Sequence, residues 1–300
     1  MRGTIANAMT VDVEDYFHVQ AFAGIIDRAD WDSMPCRIEA NTDRILALLD
    51  SAGVKATMFT LGWVAERYPQ LVRRIVAGGH ELASHGHGHA RVDSQTPAVF
   101  RADIRRAKAL LEDIGGVSVI GYRAPTFSIG PRNAWAFDVL EEEGHRYSSS
   151  VYPVRHDLYG APDASRFPHR PGAGALVELP MTAIQLMGRN IPCSGGGYFR
   201  LLPSVLYRLG LTRVNNAEGR PGIFYFHPWE VDPGQPRIEG AGWKSRLRHY
   251  TKLGRMAADI DQILRVFAWD RMDRVYADLL PAPRSEAPAR EPAPRQSVAG

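Results

Sequence analysis

Thr10-Val11-Asp12-Val13-Glu14-Asp15 ends the first apolar, β-branched run of the chain, residues 4–13, and places three carboxylates where a buried strand would stop. A solvated acidic turn or helix N-cap is a reasonable account of Asp15, but a poorer one of Asp12, which lies between Val11 and Val13. The same arrangement recurs downstream. His85 follows a brief strand at 80–84, Arg123 follows 117–122, and His227 closes the apolar run 222–227. Further strands are expected at 54–61, 147–152 and 176–180. Between them, helices are expected at 41–52, from Pro69 to the Gly78-Gly79 stop, through Ile104, Ala107, Leu111 and Ile114 to Gly115-Gly116, and at 134–143, 201–214 and 259–269. Alternation of nearly continuous apolar strands with amphipathic helices predicts a parallel α/β sheet. A barrel and a doubly wound sheet both fit that pattern. Four polar residues at four strand ends favour the barrel, which carries its chemistry on that rim.

The chain has 300 residues, 45% of them hydrophobic and 23% charged, enough apolar content to exclude whole-chain disorder. Its formal net charge of +3 is spread without a Lys/Arg block, so nucleic acid is not an expected partner. Cys36 and Cys193 have neither disulfide-framework nor zinc-site spacing, which suits a reducing compartment. No run approaches the roughly 18 apolar residues of a membrane span, and none before Asp12 is long enough for a signal-peptide core. The expected location is therefore cytoplasmic, extending to the inner face of the membrane. Residues 1–280 read as one domain, and 281–300, rich in Pro, Ala and charge, as a disordered tail.

The strongest local motif is Ser84-His85-Gly86-His87-Gly88-His89-Ala90. Two histidines four apart can face one ion from a tight loop, although a His-rich surface turn has the same spelling. A carboxylate from Asp12–Asp15 would complete a two-His, one-carboxylate set with an open position for water, and a second carboxylate could then act as general base. Strand alternation puts Asp12 and Glu14 on one face, and Asp15 joins them only if the chain turns. His227 could protonate a leaving nitrogen, and Arg123 could hold the base by a charge-assisted bond.

In order and approximate spacing, Thr10-Val11-Asp12-Val13-Glu14-Asp15, His85-x-x-x-His89, Arg123-x-Pro125-x-Phe127 and Tyr225-x-His227 resemble the polysaccharide deacetylase family, carbohydrate esterase family 4. Asp12 through Val19, with Phe226 through Arg237 and Arg248-His249-Tyr250, is similar to the bacterial subgroup tied to exopolysaccharide loci with exosortase systems. The resemblance covers residues 8–270. It implies a distorted (β/α) barrel and metal-dependent removal of acetyl groups from N-acetylated sugars. By position it implies Asp12 as general base, Arg123 as its partner, His227 as general acid, and His85 and His89 as ligands of a divalent metal, Zn2+ above all. A backbone N–H near Tyr122 or Arg123 would assist the metal at the oxyanion.

The family's usual first motif has two adjacent aspartates, whereas Val13 follows Asp12 here, so the carboxylate ligand must be Glu14, favoured by alternation, or Asp15. The family's fourth motif is not clear, with Asp157 and Tyr159 as stand-ins. Sugar contacts are expected from Tyr16, Tyr122, Pro125, Phe127 and Trp229. The expected substrate is an N-acetylhexosamine unit of an exopolysaccharide or of its lipid-linked oligosaccharide precursor. Two rivals are hydrolysis of a non-sugar amide such as a cyclic ureide, against which the His85/His89 pair speaks, and a catalytically silent sugar-binding module.

Overall fold

The computed structural model describes residues 5–282; of the tail expected at 281–300, residues 283–300 lie outside that range. The first half of the chain runs β1 (Ala6–Val13), α1 (Ile38–Ser51), β2 (Thr57–Thr60), α2 (Gly62–Arg67), α3 (Pro69–Ala77), β3 (Glu81–Ser84), α4 (Pro97–Gly115), β4 (Gly121–Tyr122), α5 (Trp135–Glu142), β5 (Tyr147–Ser148) and β6 (Val177–Glu178). The second half holds an antiparallel hairpin, β7 (Ala183–Leu186) and β8 (Arg189–Pro192), then α6 (Gly196–Leu201), α7 (Ser204–Asn216), β9 (Ile223–Phe226), α8 (Trp243–Tyr250), α9 (Leu253–Val266), β10 (Ala268–Asp270) and α10 (Met272–Val275).

Parallel pairing links β9 to β1 and then β1 through β6 in chain order, while β10 pairs with the start of β1. Among the described residues no ladder joins β6 to β9, so the sheet curls without closing. It is a curled half-barrel, the distorted (β/α) barrel that the resemblance implied, with the strand ends on its rim as expected. The central strand β1 is buried at every position but its first, as a strand covered on both faces must be.

Side chains alternate between two cores. Met9, Val11, Met58, Leu82, Phe224 and Phe226 pack outward under the helices. Ala8, Phe59, Ala83 and Tyr225 fill the concave interior with Tyr147, Tyr152, Leu179 and Met181. This parity of two per strand decides which polar residues reach the inside. Beyond the short regular strands the ladder continues: His85 N donates to Thr60 O, Arg123 N to Ser84 O, Ser149 N to Tyr122 O and Leu179 N to Ser148 O, all at 2.8–3.0 Å. The functional rim is thus held by backbone pairing beyond the regular strands.

Two helices differ from expectation. The stretch 201–214 is divided, because Leu202 and Pro203 are extended between α6 and α7. A residue before proline is driven out of the α region, which stops α6 there. The last long helix starts earlier and ends at Val266, with Phe267 extended at φ −117°. Apolar residues at 267 and 269 suit a helix face and a strand equally, and pairing of β10 with Ala6, Asn7 and Ala8 selects the strand.

Candidate active site

Parity carries Asp12, Glu14, His85, Arg123 and His227 into the concave face, two residues beyond Thr10, Asp12, Ala83, Gly121 and Tyr225 respectively. Asp12 Oδ1 accepts from Arg123 Nη1 at 2.6 Å. The guanidinium is fully buried. It also donates to Thr10 Oγ1 (2.9 Å), Ser149 O (3.2 Å) and Ser149 Oγ (3.1 Å), and lies over the Phe59 ring at 4.0 Å. The bonds to Thr10 and Ser149 fix the guanidinium, so Asp12 is held in position and its charge is compensated.

Glu14, His85 and His89, all buried, place their ligand atoms within 4.8 Å of one another. Glu14 Oε2 is 2.7 Å from His89 Nε2 and 4.0 Å from His85 Nε2, yet it has no hydrogen-bond partner. His85 Nδ1 lies 2.8 Å from Arg123 O. A carbonyl only accepts, so Nδ1 carries the proton and Nε2 keeps its lone pair toward Glu14. Burial pulls the His85 pKa down to about 4. Burial alone would raise the Glu14 carboxyl, but His89, with His227 and His85, holds it well below the usual carboxylate range. A neutral imidazole, an ionised carboxylate and an orphaned buried oxygen aimed at one point fit a divalent cation.

His227 stands opposite, with Nε2 3.5 Å from Glu14 Oε1 and 3.9 Å from Asp12 Oδ2. Its Nδ1 donates to Glu230 Oε1 at 2.8 Å, and Glu230, fully buried, also accepts from Arg200 Nε at 2.7 Å. Burial opposes protonation, but the bond to Glu230 and the charge of Glu14 outweigh it and raise the His227 pKa to about 9. Trp229 stacks on His227 at 5.2 Å, and His249 stacks on the other side of Trp229 at 4.1 Å.

Asp12, Glu14, His85, His89 and His227 line a cleft of about 130 Å³, rimmed by Val19, Gln20, Ala21, Thr126, Phe127, Leu158, Tyr159, Tyr225 and Trp229. Of the aromatic residues proposed from sequence, Phe127 and Trp229 reach it. Tyr16 instead bonds Pro35 O from within the core, and Tyr122 points outward against Phe100. Pro125 is buried outside the lining. Asp15 does not join the ligand cluster. Its carboxylate accepts from the Tyr16 and Arg37 backbone N–H groups and from Cys36, so it caps the short helix Tyr16–His18. The Arg123 N–H expected at the oxyanion is spent on Ser84 O. Asp157 faces Arg248 outside the cleft, whereas Tyr159 is at its mouth. Glu230 was missed, although its place three residues after His227 is the spacing of a short-range partner.

Residues 30–147 match the family described as Polysaccharide deacetylase, and residues 149–277 match a domain of unknown function, DUF3473. Over residues 30–147 the chain is thus similar to the polysaccharide deacetylase family. It is 32% identical over 131 residues to the "Putative polysaccharide deacetylase YheN" of Bacillus subtilis, covering 43% of this chain and 46% of that one. It is 30% identical over 145 residues to the chitooligosaccharide deacetylase of Sinorhizobium fredii, covering 48% and 61%. It therefore spans about half the length of these curated relatives. The solved structure of a Mycobacterium smegmatis protein with the same description as YheN superimposes with TM-score 0.59 at 21% identity, covering 95% of each chain, and shares the fold. Along the chain, His85, His89 and Arg123 fall in the deacetylase match, Asp12 and Glu14 precede it, and His227 and Glu230 lie in the segment matched to the domain of unknown function.

Proposed function

We propose that this cleft removes N-acetyl groups from N-acetylhexosamine units of a glycan, either an exopolysaccharide or its lipid-linked precursor. The observation that carries this reading is the meeting, in one cleft, of an arginine-held carboxylate, a Glu14–His85–His89 ligand cluster and a histidine held protonated by Glu230. A divalent ion, Zn2+ in view of its two imidazoles and one carboxylate, would be held by Glu14, His85 and His89, where it supplies Lewis acidity toward the acetamide oxygen and acidifies water.

The protein's own groups do the rest. Asp12, held by Arg123, takes a proton from the water whose oxygen adds to the acetamide carbon. His227 Nε2 gives its proton to the sugar nitrogen as the carbon–nitrogen bond breaks, so that acetic acid, which then ionises in water, and a neutral amine leave. The cleft has room for an acyl group and a few waters, and Phe127, Tyr159 and Trp229 give it an aromatic wall.

Acetate release from N-acetylglucosamine oligomers and from lipid-linked N-acetylated sugars tests the reading. Release that falls by about two orders of magnitude or more in Asp12→Asn is expected, as for loss of a general base. A zinc-supplied protein that binds these glycans and releases no acetate would instead be a sugar-binding module.

A further inference from the structure

From Leu179 to Ala217 the chain has no acidic residue, yet its surface there is unusually apolar. Helix α7 turns Val205, Leu206 and Leu209 to solvent, Leu209 at 62% exposure, all within one side of the helix. The same helix seats on the β7–β8 hairpin through Gly210, where an added Cβ would come within 2.6 Å of Cys193 Sγ and 3.7 Å of Ile184. Ile184 pairs with Ile191, and Leu186 is two residues along from Ile184, so Leu186 and Ile191 occupy the hairpin face that meets the helix. Leu206 lies one turn before Gly210 on that seam. The exposed leucines and isoleucine therefore adjoin, and Met187 at the hairpin tip extends them with 95% exposure.

A second stretch, residues 240–258, also has no acidic residue but has five basic ones. On α8, Trp243 (72% exposed) and Leu247, four apart, share one face, with exposed Lys244 and Arg246 beside them. The two regions are tied together. Arg200 of α6 donates to His249 O (3.0 Å) and Thr251 O (2.7 Å) at the end of α8. The α8 region borders the cleft, since Arg248 pairs with Asp157 next to the rim residues Leu158 and Tyr159, and α6 approaches it through Tyr198, which packs on Tyr152 behind Tyr159.

We propose that this face seats on an anionic lipid surface and holds the cleft mouth at headgroup level. Aliphatic side chains and a tryptophan flanked by Lys and Arg, with no carboxylate among them, match an apolar layer beneath negative headgroups. A second copy of the chain would meet this face with like charge. The consequence for substrate, a glycan presented on a lipid anchor, rests on the deacetylase reading, whereas the docking itself does not. The face lies within residues 149–277, the segment matched only to a domain of unknown function.

Cosedimentation of the full chain with phosphatidylcholine vesicles, and with an equal mixture of phosphatidylcholine and phosphatidylglycerol, tests this. Binding to the mixed vesicles that weakens with salt is expected. Leu206→Ser with Leu209→Ser should lower partitioning roughly tenfold, and Lys244→Glu with Arg246→Glu at least as much. These surface variants should leave acetate release from soluble oligomers unchanged. Failure to bind the mixed vesicles above the phosphatidylcholine level would overturn the proposal. So would a dimer in sedimentation equilibrium that the Leu206→Ser, Leu209→Ser variant dissolves. Vesicle binding without acetate release from any glycan would overturn the deacetylase reading and leave the docking standing.

Discussion

At the scale of single residues, two groups of the cleft have a fixed charged partner, Asp12 in Arg123 and His227 in Glu230. Glu230 is the partner that sets His227, and removing its charge should be visible in the pH profile. The His227 pKa is raised from its ordinary value near 6.5 to about 9, so the acid form persists through neutral pH and is lost as pH rises through about 9. Glu230→Gln should shift the alkaline limb of the rate profile down by about one unit or more, since a neutral amide retains a hydrogen bond but not the charge. An unchanged limb would show that Glu230 does not tune the acid. The same shift contributes stability that is fully present below about pH 6.5 and disappears as pH rises through about 9. Arg123→Met is the companion case. It leaves Asp12 buried without its cation and should lower the melting temperature as well as activity, because breaking a buried pair costs about 3–5 kcal/mol. A variant with wild-type melting temperature would refute that account of Arg123.

At the scale of elements, the part of the site legible in the sequence is the part that strand parity dictates. Asp12 and Glu14 share a face because they are two apart at the end of β1, and His85 and His227 are each two beyond an interior residue, Ala83 and Tyr225. Residues brought in by tertiary folding were not legible. Arg200 reaches Glu230 from a helix 30 positions away, and nothing local in its surroundings marks it. Tyr122 was misread for the opposite reason, since a strand of two residues shows too little alternation to reveal which face it presents. Strands this short need other support. Glu178, fully buried on β6, accepts from Ser150 N and Val151 N at 2.9 Å each, holding the chain beyond β5. Glu178→Ala would strand two buried donors and should destabilise the protein by about 2–3 kcal/mol in a denaturant titration. Glu178→Gln, which can still accept both bonds, should recover most of that loss. Equal losses in the two variants would mean that volume, and not hydrogen bonding, is what Glu178 supplies.

At the scale of the whole molecule, the curled sheet brings together ligands that are distant in the chain. Glu14 follows β1, while His85 and His89 follow β3, and β2 separates the two strands in the sheet. Without an ion, three buried polar groups face one another and Glu14 Oε2 has no hydrogen-bond partner, a cost carried by the native state alone. An ion that binds there and not in the unfolded chain must stabilise the fold by mass action, by about 2.7 kcal/mol at a concentration 100 times its dissociation constant. For a chain of this size that corresponds to a rise of about 4 °C in melting temperature. Differential scanning calorimetry of chelator-treated protein, with and without Zn2+, should show this rise, saturating at one ion per chain. Glu14→Gln should lose most of it while remaining folded, because an amide keeps the volume but no longer attracts a cation. No rise with the wild-type protein, or an equal rise in Glu14→Gln, would mean that the cluster is a buried polar network and not a metal centre.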